Sequence, residues 1–153
     1  MTPYDRNRAR ADVLALFSPL FADPLNLTVS EKHLSVLQSM ADTLPPVLKP
    51  TPAQIKTPHY YGIDMLCSAS LRNILIGAGP EVAEAFVTEI GGSGNETVDH
   101  GQVVIWGEEP LNEMTWEFSQ AVLERWGWLL GREWVARANF WRRQRGANLL
   151  PEW

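Results

Sequence analysis

Apolar positions along this chain fall mostly at helical spacing. Tyr4 to Phe17 reads as a first helix, with Val13, Leu14 and Phe17 on one side and Ser18-Pro19 as its stop. A second helix follows, capped by Thr28 with Glu31 or by Ser30. Its stripe of Leu34, Leu37, Ala41 and Leu44 runs until Pro45-Pro46 end it. Prolines 45, 46, 50, 52 and 58 then predict a stiff, extended strap over residues 45–58, laid on the domain surface.

Tyr60 to Ile76 is apolar on most sides, which predicts a central helix. Gly77-Ala78-Gly79 ends it, and Pro80 opens the next helix, which runs to Ile90. Gly91 to Asn95 reads as a flexible loop. Gln102 to Trp106 is the one clear strand candidate: it pairs with a second copy, pairs with a hidden short strand, or is merely extended. Leu111 to Arg145 completes the pattern. Trp116, Leu123, Leu130, Trp134 and Trp141 share one arc of a helical wheel, while Glu113, Glu117 and Glu124 share another line. A continuous helix there would be about 52 Å long, so a break near Gly127 or Gly131 is expected. Five of the seven tryptophans are assigned to the core, and Trp128 points away from it.

These elements predict a mostly α fold: a single domain over 1–153, built as a compact bundle of about five or six helices with at most one or two short strands. Apolar content of 45% and charged content of 20% agree with a globular chain. No apolar run approaches the roughly 20 residues that span a bilayer. Arg6, Arg8 and Arg10 precede an apolar zone of only five residues, so an amphipathic helix fits better than an export signal. The single cysteine, Cys67, forbids an internal disulfide and favours a reducing, cytoplasmic setting.

Charge sharpens the picture. Asn73 to Glu124 contains ten acidic residues and no Lys or Arg, whereas Arg125 to Arg145 contains six arginines and one acid. Two outcomes are open: the arginines neutralise the acids within the fold, or the acids form an anionic surface for a basic partner.

Catalytic and metal signatures are missing from the pattern. His33, His59 and His100 sit in separate segments with no paired ligand, so no metal, cofactor or catalytic residues are assigned. His100 beside Asp99 and near Glu96 reads as a loop histidine, and Asn95-Glu96-Thr97 as an idle glycosylation acceptor. Arg142, Arg143 and Arg145 beside Trp141 invite a nucleic-acid reading, but the acidic block argues against direct nucleic-acid binding.

The leading expectation is a small acidic protein–protein interaction module, leaning away from an enzyme. It would bind and occlude a basic protein partner, such as a nucleic-acid-binding protein or a toxin, through Glu108, Glu109, Glu113, Glu117, Glu124 and Trp128. Immunity proteins and phage-encoded inhibitors share this build and charge, which is an analogy of build alone. Two alternatives stand beside it: a homo-oligomeric subunit of a phage or secretion assembly (a homodimer included), and an enzyme or ligand-binding domain with a pocket near Tyr60, Tyr61 and Cys67.

Overall fold

The computed structural model describes residues 2–91 and 102–152. The loop after Gly91, the acceptor at 95–97, His100 with its acidic neighbours, and Trp153 lie outside the described residues. Among the described residues, seven α-helices and one two-stranded sheet make the fold mostly α. Internal contacts gather into two units: Arg8–Val87, and Met1–Asn7 joined to Thr88–Trp153.

Helix α1 (Arg6–Leu16) opens the chain, and the first unit continues through α2 (Glu31–Met40), α3 (Pro52–Lys56), α4 (Ala69–Ala78) and most of α5 (Pro80–Gly91), linked by short 3-10 turns. Ser30 caps α2, its hydroxyl accepting from the His33 N–H, while Thr28 is turned back to the Leu25 carbonyl. The proline strap is not extended throughout. Pro52 sits at the start of α3, and Thr51 with Gln54 forms a full capping box around it. Leu48 and Gln54 of the strap are buried, so it supplies core instead of merely covering it. The expected central helix from Tyr60 is likewise divided: Tyr61–Met65 is a 3-10 turn, and Ser68 caps the start of α4. Phe17, Leu20, Leu37, Leu48, Ile63 and Leu75 fill the interior of this unit.

The second unit holds β1 (Val103–Ile105) and β2 (Trp116–Phe118), paired antiparallel with Val104 opposite Glu117. The N-terminal segment lies on the other edge of β1: Tyr4 N–H donates to the Ile105 carbonyl, and Gly107 N–H to the Thr2 carbonyl. After β2, Ser119 caps α6 (Gln120–Leu130), and α7 (Arg132–Gln144) follows. The long helix expected over 111–145 is therefore a 3-10 turn, a strand and two helices. Its break falls at Gly131, whose φ of 81° and ψ of −179° belong to a region reserved for glycine. The expected carboxylate line dissolves with it, because Glu113 lies in the turn, Glu117 on β2 and Glu124 on α6. Phe118 packs 4.5 Å from Trp134, centring a core with Val103, Val122, Leu123 and Val135. No described helix is long and apolar enough to cross a membrane.

Candidate functional site

The tryptophans of the second unit are mostly not core. Among those described, Trp134 alone is fully buried, and the others anchor their indole N–H groups instead. Trp106 donates to Glu117 Oε1, Trp116 to the Pro110 carbonyl, Trp126 to Glu89 Oε2, Trp128 to the Arg125 carbonyl and Trp141 to the Met114 carbonyl. An indole is a large apolar body with one donor, so a half-buried position with that donor satisfied costs little.

The segregated charges partly close on one another. Glu117, only 4% exposed, takes both Arg145 guanidinium nitrogens at 2.5 and 2.8 Å, with Arg142 at 3.8 Å. Arg145 also stands over the Trp106 ring, and Trp106 stacks on Trp141. Glu113 pairs with the buried Arg137 at 3.2 Å, and Glu89 pairs with Arg125. Glu113 and Glu117 therefore cannot belong to a free anionic surface. Bidentate guanidinium contact satisfies the Glu117 carboxylate inside the fold.

Glu108, Glu109 and Glu124 remain exposed. Glu124 accepts from Gln120 at 2.9 Å, and Trp128 lies one turn further along α6 with 70% of its surface exposed. Residues four apart on a helix are neighbours, so this carboxylate and this indole share the outer side of α6.

The first unit holds a second constellation, which sequence spacing hides. Asp64, wholly buried, receives His33 Nε2 on Oδ2 at 2.6 Å and His59 Nε2 on Oδ1 at 2.5 Å. The Gln54 amide donates to Oδ1 at 2.9 Å, and Arg72 Nε donates to the Gln54 oxygen at 2.7 Å. Arg72 also reaches the carbonyls of Val47, Lys49 and Leu66, so one buried guanidinium holds the strap against α4. His59 Nδ1 faces the Thr57 carbonyl at 2.7 Å, whereas His33 Nδ1 is buried with no hydrogen-bond partner. Both nitrogens of His59 thus face oxygen acceptors, an arrangement that suits the doubly protonated ring.

Burial opposes charge on His59, yet its hydrogen bond to Asp64 and the field of that carboxylate raise its pKa above the ordinary 6.5. Burial likewise opposes the Asp64 carboxylate, and hydrogen bonds from His33 and His59 lower its pKa below 3.8.

Two imidazoles and a carboxylate are also a metal-ligand set, and their donor atoms lie within 4.8 Å of one another. The separations decide against an ion. Ligands around a tetrahedral zinc at about 2 Å stand roughly 3.3 Å apart, whereas each nitrogen here meets its own carboxylate oxygen at 2.5–2.6 Å. Those are charge-assisted hydrogen-bond lengths. A divalent cation would also add to the positive charge of nearby Arg72. The cluster fits shared protons.

Around the expected pocket, Tyr60 and Tyr61 pack 5.0 Å apart at a tilt, Phe21 meets Tyr61 edge-on, and Cys67 is buried. His59, next to Tyr60 in the chain, bonds Asp64 and the Thr57 carbonyl. The 31 residues between His33 and Asp64 conceal that contact in the sequence, although His59 and Asp64, five apart, give a faint local signal.

No curated protein and no solved structure matches this chain. Residues 28–143, which include the Asp64 cluster and Glu117 but end before Arg145, match DUF3425, a domain of unknown function, and the chain belongs to that family.

Proposed function

We propose that this chain is a protein-interaction module that takes a basic segment of a partner protein on the outer side of α6. The observation that carries the reading is Trp128. A 70% exposed indole whose only donor is satisfied by its own helix leaves its ring open to a partner. Glu124 stands one turn away, and the nearest helical cation, Arg125, is engaged by Glu89. A lysine or arginine of the partner would lie against the indole face and reach the Glu124 carboxylate, combining cation–π attraction with an ion pair. Binding, not catalysis, is also favoured by burial, since the titratable cluster at Asp64 offers no access to a substrate. If the basic segment belongs to the partner's active or nucleic-acid-binding cleft, the effect is occlusion.

The test captures partners from the native host with the wild type, Trp128→Ala and Glu124→Lys at two ionic strengths, with circular dichroism as a control for folding. Loss of a captured protein on Trp128→Ala, with weakening by Glu124→Lys and by salt, is the expected result. Equal recovery by all three proteins rejects the α6 surface. A companion double change, Glu108→Lys with Glu109→Lys, asks whether the exposed acids after β1 join the contact. Light scattering separates self-association from binding of a different protein.

A further inference from the structure

We propose that the His33–Asp64–His59 cluster is a proton-operated latch: the second ring proton of His59 holds the segment from Thr57 to Met65 closed, and its loss releases that segment. The geometry supplies the mechanism. His59 Nδ1 faces the Thr57 carbonyl at 2.7 Å, and Nε2 faces Asp64 Oδ1 at 2.5 Å, so removing either proton sets a lone pair against an oxygen. No solvent can repair that mismatch, because His59 is 1% exposed and Asp64 wholly buried.

The surroundings are defined on each element packed there. From α2, His33 Nε2 takes the other carboxylate oxygen, and its ring stands 4.8 Å from that of His59. From α3, neutral Gln54 donates to Oδ1. From α4, the Arg72 cation acts on Asp64 through Gln54, while Lys49 meets Arg72 with its backbone carbonyl. Asp64 therefore has one oxygen for each histidine, and His59 is the one fixed at both ends. The latch joins a 3-10 turn, Tyr61–Met65, whose Ile63 is itself in the core, to α2 and α3.

The direction follows from linkage. A group whose folded pKa is raised stabilises fully below its unfolded value, and that contribution declines as pH rises through the folded value. Opening of Thr57–Met65 should thus grow by about tenfold per pH unit above 6.5 until the folded pKa of His59 is passed.

The experiment records the imidazole resonances of His59 and amide exchange across 57–65, corrected for intrinsic exchange rates, from pH 5.5 to 9. Expected are a doubly protonated His59 at pH 6, its deprotonation above 6.5, and exchange at 57–65 that tracks it, with residues 34–37 of α2 lagging. His59→Gln should abolish the pH dependence and His33→Gln should retain it. Should His59→Gln fail to fold, the wild-type titration alone decides. A neutral His59 at pH 6, or exchange at 57–65 that ignores its titration, overturns the latch. A zinc titration adds a separate arm: one equivalent of Zn²⁺ bound by the wild type and lost in His59→Gln would overturn it in favour of a metal site.

Discussion

At the scale of single residues, two side chains with opposite consequences stand out. Asp64 is wholly buried and compensates a histidine at each oxygen. Removing one partner of a buried charged pair leaves the other uncompensated, so Asp64→Asn should lower unfolding free energy by about 3 kcal/mol or more, measured by urea denaturation. Trp128 is the counter-case. Its ring is mostly in water, so Trp128→Ala should change stability by less than about 0.5 kcal/mol while removing partner binding. Trp134, buried against Phe118, should cost about 3–5 kcal/mol on truncation to alanine. The contrast between two tryptophans in the same region separates a docking residue from a core residue in one denaturation series.

At the scale of elements, glycine and caps decide where helices stop. Gly79 (φ 98°, ψ 158°) and Gly131 (φ 81°, ψ −179°) occupy backbone conformations that side chains disfavour. Gly79→Ala and Gly131→Ala should each destabilise by about 1–3 kcal/mol. Gly77, inside α4 with open space at its Cβ position, should do the reverse, Gly77→Ala gaining about 0.5–1 kcal/mol in thermal or urea unfolding. The acid at the centre of β2 makes a further case. Glu117→Gln keeps the shape but loses the charge that holds Arg145, and with Arg145 partly in solvent the cost should be about 1–3 kcal/mol. These elements also show why the wheel over 111–145 misled: Trp116 falls on the apolar arc by coincidence of spacing. Three residues of strand between the Asn112 turn and the Ser119 cap leave too short an alternation to compete with that arc.

For the molecule as a whole, the two polar networks belong to different units. Asp64 stabilises Arg8–Val87 above 3.8 and loses that contribution as pH falls through its lower folded pKa. His59 stabilises the same unit below 6.5 and loses its contribution as pH rises through its higher folded pKa. Amide exchange should therefore show the greatest protection of that unit between 3.8 and 6.5. Protection of that unit that stays level on both sides of this window would contradict the assignment.

Local chemistry along the chain was enough to establish the mostly α class, the Pro80 helix start, the strand at 103–105 and the glycine break before Arg132, while the cap of α2 stayed open between Thr28 and Ser30. Each rests on neighbours within a turn or two, where spacing and backbone preference act directly. Trp128 was legible for the same reason, since a helical wheel places it outward without any knowledge of the fold. Tertiary structure alone decided which charges meet. Glu117 finds Arg145 across 28 residues and Asp64 finds His33 across 31, and no periodicity records such encounters. Ion pairs are selected by distance in space, whereas a sequence orders its residues only along the backbone.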